Sequence, residues 1–293
     1  MNPGIHLIHK PVGPTSFSAM RSFAETADPA PRICHGGTLD PFASGLLLIL
    51  VEPATKLFDH LHAIPKVYDA TIRWGAETDN GDPGGKIIST GDPANLTAAT
   101  LEDSLATFIG WHDQVPHATS AKRIGGERAY LKAHRGEAVD LPASRVYLHH
   151  ARWLSHDLPH TSRLELTVRG GYYIRAMVRD LGRLLGCGAH LAQLHRQSIG
   201  PWTDPGENQT TEIHGRQIMP WAMSRNLTDA EIAELRQRRE IDVGELQPPE
   251  WRLPEGFPES PSPIRGFQAD RFICLLSQAD SRLRLLSALW RGI

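Results

Sequence analysis

The sharpest alternation in the chain runs from Lys66 to Trp74. Tyr68, Ala70, Ile72 and Trp74 share one face of a strand, and Val67, Asp69, Thr71 and Arg73 share the other. Ile5 to Ile8, residues 145–154 and residues 163–169 also read as strands, the last through Leu164, Leu166 and Val168. Leu46 to Val51 is unbroken apolar chain, the pattern of a buried strand. Ser120 to Ile124 is a further strand, with Gly125-Gly126 as its turn. Helical spacing takes over at Thr97 to Ile109, where Leu101, Leu105, Phe108 and Ile109 form the stripe, Thr97 the cap and Gly110 the stop. Helices are also predicted over 17–26 behind Thr15 or Ser16, over Glu127 to Arg135 before Gly136, and over 173–185 before Gly186. The capping box Thr228-Asp229-Ala230-Glu231 opens another, reaching about Arg239.

Asp79 to Gly85 is a turn cluster without the ligand spacing or closing Glu of a calcium loop. Residues 248–263 carry prolines at 248, 249, 254, 258, 261 and 263 and cannot be regular structure. Beyond them, Phe267 to Leu276 and Leu283 to Trp290 are predicted as two strands around the turn 277–281. Strands and helices mix without a regular βαβ repeat. That predicts an α+β fold, a central mixed or antiparallel sheet flanked by helices. The expected division is a main domain over residues 1–222 and a small β-rich C-terminal domain over 223–293. The second is too short to build a large core and should pack on the first.

Composition narrows the class. At 293 residues and 40% apolar content, one large or two unequal domains with a real core are expected. No stretch of 18 apolar residues predicts a membrane span. Met1-Asn2-Pro3-Gly4 does not read as a secretory leader, so a cytoplasmic location is expected. Cys34, Cys187 and Cys274 lie far apart with no CxxC pair, against a disulfide framework or zinc ribbon. Net charge is −2, unlike most nucleic-acid binders, so any phosphate-binding charge must be local. Residues 121–136 carry Lys122, Arg123, Arg128, Lys132 and Arg135 against Glu127. Residues 163–196 carry Arg163, Arg169, Arg175, Arg179, Arg183 and Arg196 against Glu165 and Asp180. Either stretch alone reads as a solvated face; the two together suggest a phosphate-binding surface.

One run carries candidate chemistry: His35-Gly36-Gly37-Thr38-Leu39-Asp40-Pro41-Phe42-Ala43-Ser44-Gly45-Leu46-Leu47. Proline pushes Asp40 out of the helical region, and the bracketing glycines permit sharp turns and close ligand approach. A carboxylate held stiffly before a buried strand can serve as nucleophile or base. An Asp-Pro pair alone is a common turn starter. No GxxxxGK[ST], GxGxxG, GxSxG or HExxH motif occurs, and His60, His62 and the pair His149-His150 have no ligand partners at metal spacing.

The run resembles the catalytic loop of the TruB-type pseudouridine synthases, His-x-Gly-x-Leu-Asp-Pro-x-Ala-x-Gly-x-Leu. Lys10-Pro11-x-Gly13-x-Thr15-Ser16 is similar to the family's opening motif, and Lys66-Val67-Tyr68-Asp69-Ala70 to its Lys-x-Tyr strand. Gln114-Val115-Pro116, Ser120-Ala121-Lys122, Gly126 and Tyr130 are similar to its substrate-facing segment. Tyr173-Ile174-Arg175, Asp180-Leu181-Gly182 and Gly188-Ala189-His190-Leu191 are similar to its late active-site helix. The likeness runs from about residue 5 to 202. The C-terminal part resembles the family's PUA-like RNA-binding appendage weakly.

The resemblance implies uridine-to-pseudouridine isomerisation at position 55 in the T-loop of tRNA, without metal or cofactor. It implies Asp40 as the catalytic carboxylate, Arg175 as its ion-pair partner and Tyr68 as the ring that stacks on a flipped base. Stacking of this kind is worth about 1–3 kcal/mol, and an arginine beside a buried carboxylate favours its charged form. Whether Asp40 attacks C6, attacks C1′ or first deprotonates the sugar stays open. By the same likeness His35 fills the gap left in the RNA loop, Tyr173 and Leu194 line the base pocket, and Lys10 and Lys122 are substrate contacts. The implied partner is the T-stem-loop, bound by a monomer with no obligatory protein partner. A tRNA-folding factor with secondary catalysis and a guide-RNA-dependent synthase of the dyskerin type are the alternatives.

The sequence departs from the family at four places. Arg169-Gly170-Gly171-Tyr172-Tyr173 stands for Ser-x-Gly-Thr-Tyr, and Leu194-His195-Arg196 for Leu-Arg-Arg. Thr119 stands for an aromatic residue, and Ala133-His134-Arg135-Gly136 for Ala-Arg-x-Gly. None is expected to touch Asp40, Tyr68 or Arg175.

Overall fold

The computed structural model describes residues 1–25, 31–120, 122–124, 127–128, 135, 137 and 141–293. The first strands are β1 (Gly4–Lys10), β2 (Ile33–His35), β3 (Ser44–Val51), β4 (Lys66–Trp74), β5 (Ala76–Thr78), β6 (Ile87–Thr90) and β7 (Gly110–Gln114). There follow β8 (Arg123–Ile124), β9 (Glu127–Arg128), β10 (Ser144–Asp157), β11 (Thr161–Val168), β12 (Ala189–Ile199), β13 (Trp202–Thr203) and β14 (Thr210–Ile213). The last are β15 (Ser224–Asn226), β16 (Ile241–Asp242), β17 (Ile264–Gln268), β18 (Arg271–Ala279) and β19 (Arg282–Ala288). The helices are α1 (Ser16–Ala24), α2 (Ala98–Ala106), α3 (Ile174–Leu184) and α4 (Asp229–Arg236), with a 3-10 helix over Ala54–Leu61.

Among the described residues, ten strands join one sheet in the order β14-β1-β3-β12-β4-β11-β10-β7, with β2 beside β3 and β13 beside β12. Its pairings are antiparallel except that of β12 with β3, where His195 and Arg196 face Ser44 and Gly45. β3 is buried on both faces, which accounts for its unbroken apolar sequence. Leu46, Leu48 and Leu50 enter one core with Ile5 and Leu57, while Leu47, Ile49 and Val51 pack with Met20 of α1. Tyr68, Ala70, Ile72 and Trp74 of β4 face Leu101 and Leu105 of α2 and Ile174, Met177, Val178 and Leu181 of α3. Burial of such side chains, at about 1.5–3 kcal/mol each, holds these short helices. A second sheet, β15-β17-β18-β19-β16, forms the C-terminal β-rich part. Its Phe267, Phe272, Leu275 and Leu289 share the core of Ile5, Leu46 and Trp221.

Several expectations need correction. The 97–109 helix stops at Ala106, because Thr107 turns its hydroxyl back onto the Ser104 carbonyl (2.7 Å), and Gly110 begins β7 instead. Ser120 lies in a turn, its amide donating to the His117 carbonyl (3.0 Å), and the strand there is only Arg123–Ile124. Its hairpin partner is Glu127–Arg128, the start of the expected basic helix. Residues 129–134 and Gly136 of that helix lie outside the described residues, as do Ala121, Gly126 and Tyr130 of the motif. The expected strand Phe267 to Leu276 is two strands, broken at Ala269, whose φ of 53° reverses the chain. The turn expected at 277–281 tightens to Asp280 (φ 53°), and β18 continues to Ala279. Gly188 to Leu191 is no part of a helix; from Ala189 it is central strand β12.

Candidate active site

The Asp40 loop is hung from three directions. Ser16, at the start of α1, clamps Leu39: its hydroxyl donates to the Leu39 carbonyl (2.9 Å) and accepts from the Leu39 amide (2.8 Å). Gly13 donates its amide to the Pro41 carbonyl (2.8 Å). Arg196 of β12 is fully buried and donates to the carbonyls of Leu46 (2.8 Å), Gly37 (3.2 Å) and Thr38 (3.4 Å). Gly45 makes that approach possible. Its φ is +109°, and a Cβ there would lie 2.3 Å from the Arg196 carbonyl oxygen. The opening motif is therefore scaffolding for the acid loop.

Arg175, in the first turn of α3, meets the loop side-on. Its Nε lies 2.9 Å from Asp40 Oδ2 and its Nη2 3.1 Å from Oδ1. The remaining Nη1 donates to the Asn80 carbonyl (2.7 Å) and to Thr119 Oγ1 (2.8 Å). The Asp79 to Gly85 turn thus supplies a backbone acceptor to the ion pair. Thr119 contradicts the expectation that no departure from the family touches the catalytic set: it is a direct partner of Arg175. A planar guanidinium with every edge engaged cannot swivel, so the carboxylate keeps one orientation. The arginine side chain is 9% exposed and Asp40 30%, so the acid faces open space while its partner is sealed.

That space is a cavity of about 230 Å³, below the roughly 300–1,000 Å³ of drug-sized sites and suited to one nucleotide's base and sugar. Asp40, Tyr68, Tyr173, Arg175 and Leu194 line it together. Tyr173 precedes α3 and is fixed by Gln114, which accepts from the Tyr173 amide (3.0 Å) and donates to its carbonyl (3.3 Å). Burial raises the Tyr173 phenol pKa, with Arg175 pulling the other way. His35 ends β2, next to the lining residues Gly36 and Gly37. Lys10 and Lys122 do not line the cavity. Lys10 is buried, donating to the carbonyls of Pro11 (2.8 Å) and Pro14 (2.9 Å), and burial lowers its pKa to about 8 against the pull of Asp40. Lys122 donates to the Pro142 carbonyl (2.7 Å) and Ser144 Oγ (2.6 Å).

Sequence reasoning missed several lining residues. His117 packs against the Gly81 turn and is driven to a pKa of about 3 by burial and by Arg175, Arg179 and Arg183, so it stays a neutral imidazole. Lys66 is buried, and its amine donates to the His62 carbonyl (3.0 Å); burial, then Arg196 and Arg169, lowers it to about 7. His62, Arg169 and Arg196 complete that wall. The available signal was the density of cations around 163–196, read as surface although Arg196 is interior. Among the described residues, no group of three His, Cys, Asp or Glu side chains converges on a metal position, and no helix is long and apolar enough to cross a membrane.

Comparisons with known proteins place the chain among its relatives. Residues 25–174 match the N-terminal domain of the TruB family pseudouridylate synthases, and residues 175–237 match the tRNA pseudouridylate synthase B C-terminal domain. The chain is 36% identical over 219 residues to tRNA pseudouridine synthase B of Bordetella pertussis, covering 74% of this chain and 88% of that one. It is 40% identical over 202 residues to the Xanthomonas campestris pv. campestris protein of the same name, covering 69% and 65%. Among solved structures, an H/ACA RNP bound to a substrate RNA containing 2'-deoxyuridine superposes with a TM-score of 0.68 over 98% of this chain and 84% of that one. At 16% identity that likeness speaks for the fold alone. With the loop, the strand and the arginine helix meeting at one cavity and the matches spanning them, the chain belongs to the TruB family of pseudouridylate synthases.

Proposed function

We propose that this protein isomerises uridine to pseudouridine in tRNA, at position 55 of the T-loop. The observation that carries the reading is the Asp40 carboxylate, gripped by Nε and Nη2 of Arg175 at a cavity lined by Tyr68, Tyr173 and Leu194. The target lies within a folded loop, so it is extruded into the cavity at a cost of a few kcal/mol, offset by pocket contacts. Tyr68 stacks on the base, which is worth about 1–3 kcal/mol, and Tyr173 and Leu194 close the pocket around it. His35 occupies the place the base leaves. Asp40 starts the rearrangement: the N1–C1′ glycosidic bond breaks, the uracil turns, C5 bonds to C1′ and gives up its proton, and N1 gains one. Substrate and product are isomers, so no co-substrate is consumed. The protein works as a monomer on tRNA, in the cytoplasm, without a guide RNA.

The test is incubation with an unmodified T-stem-loop RNA, followed by mass mapping of pseudouridine. Wild-type protein yields pseudouridine at position 55. Asp40→Asn binds the RNA with affinity within about threefold of wild type and yields none. Full turnover by Asp40→Asn would remove the acid from the mechanism.

A further inference from the structure

We propose that Arg169 binds a phosphodiester of the substrate RNA beside the flipped nucleotide, and that Ser260 of the proline-rich segment sets its position. The inference rests on the reading of the cavity as a uridine site.

Arg169 directly follows β11 and lines the cavity. Its backbone is fixed by its amide, which donates to the Tyr147 carbonyl (3.0 Å). The guanidinium lies over the Trp111 ring, 5.9 Å from its centroid, and Nη2 donates to Ser260 Oγ (2.6 Å). Both partners are neutral, so they fix the group without cancelling its charge. Its Nε is buried with no acceptor. Among the described residues no carboxylate pairs with Arg169, Lys66 or Arg196. Among the described residues Asp40 is the one carboxylate lining the cavity, and Arg175 takes both its oxygens. Asp59 acts on His62 from beyond the lining and pairs with none of these cations.

One wall of the cavity therefore carries Arg169 and Arg196 beside Lys66, whose amine pKa burial lowers to about 7, and among the described residues no carboxylate pairs with them. Crowded cations of this kind are costly unless an anion meets them. The RNA that delivers a uridine brings its own phosphates, and a fork-shaped guanidinium suits phosphate oxygens. Lys66 and Arg196 are buried and turned to backbone carbonyls, Lys66 to His62 and Arg196 to Leu46, Gly37 and Thr38. Arg169 is half-buried, and of the three it is the one open to an incoming group.

The proline-rich segment explains how Arg169 is held. Phe257 inserts its ring edge-on to Tyr147 (5.9 Å, 89°) and against His149 (5.5 Å, 66°), and the Tyr147 hydroxyl donates to the Gly256 carbonyl (3.0 Å). Ser260 follows three residues later. The C-terminal part thus reaches the cavity through one hydroxyl. By the resemblance Arg169 stands where the family has Ser, and Ser260 lies beyond residues 25–237 that the family models match.

The test measures binding of the full-length protein to an unmodified T-stem-loop RNA between roughly 50 and 200 mM KCl, in an Asp40→Asn background that prevents turnover. Arg169→Gln is expected to weaken binding about tenfold and to reduce the slope of log affinity against log salt by about 1. Arg169→Lys should keep the slope. Ser260→Ala should weaken binding about threefold. An Arg169→Gln protein that melts like its parent and keeps the full slope overturns the phosphate assignment, including the case where Arg169 holds a base oxygen. Wild-type affinity in Ser260→Ala overturns the positioning role. A wild-type protein that binds this RNA but forms no pseudouridine sinks the proposed reaction while the salt slopes still decide Arg169.

Discussion

Arg175 has three nitrogens and four acceptors, two on Asp40, one on the Asn80 backbone and one on Thr119. A lysine has one nitrogen and cannot satisfy that set. Arg175→Lys should lower kcat by about 100-fold, the scale of a roughly 1 Å misplacement of a catalytic group, with KM changed far less; initial rates on T-stem-loop RNA decide it. His117 supplies a second residue-level prediction. Free, the imidazole takes its proton near pH 6.5, and in the fold it resists to about pH 3. Between those values the unfolded chain holds the extra proton. Stability present above pH 6.5 is therefore lost as pH falls, by up to about 1.4 kcal/mol per unit. Urea unfolding of wild type and His117→Asn from pH 7 to 4 should show wild type losing ground steadily; parallel curves would count against a neutral buried imidazole. Asp40, Tyr68 and Arg175 were legible because long motifs surround each of them. His117 was not, and Arg169 and Thr119, though noted along the chain, carried no sign of their place at the site. Each is a single polar residue whose neighbours across the cavity come from distant parts of the chain, and local spacing says nothing of that.

Elements were legible where apolar residues alternate with more polar ones, as in β4, or where a capping threonine marks a start, as at Thr15, Thr97 and Thr228. β12 was missed for the opposite reason. It crosses the middle of the sheet carrying the buried His190 and Arg196. Their burial is tolerated because the structure supplies acceptors, such as the Ala76 carbonyl for His190 (2.8 Å) and the Gly37, Thr38 and Leu46 carbonyls for Arg196. Hydropathy cannot see an acceptor that arrives from elsewhere. The break between β17 and β18 was hidden because an alanine, not a glycine or asparagine, takes the left-handed turn at residue 269. The contact between β3 and β12 gives an element-scale prediction. Gly45→Ala places a methyl against the Arg196 backbone at a φ of +109°. The expected cost is about 3 kcal/mol. A thermal melt should fall by roughly 6–12 °C.

At the scale of the molecule, the C-terminal strands are built into the body. Phe267, Phe272, Leu275 and Leu289 share a core with Ile5, Leu46, Leu57 and Trp221. Arg265, fully buried in β17, donates to the carbonyls of Arg216 (2.8 Å), Ile218 (3.1 Å) and Ala222 (3.2 Å) and pairs with Glu250. A fragment of residues 1–222 would expose the apolar wall those rings cover. It should aggregate or melt without cooperativity, as circular dichroism and gel filtration would report; a monomer with the parent's melt would show the wall to be dispensable. The resemblance to known synthases faded beyond residue 202, so this dependence could not be read from motifs. It follows from which side chains fill the space.

The single parallel seam of the main sheet joins residues 44–45 to 195–196. Contacts so distant along the chain close slowly and late. On the ribosome, where chains emerge N-terminus first, the Asp40 loop has no Arg196 to hang from until some 150 further residues have been made. A nascent chain stalled before that point carries the whole acid motif yet cannot hold it in shape, and so leaves uridines alone.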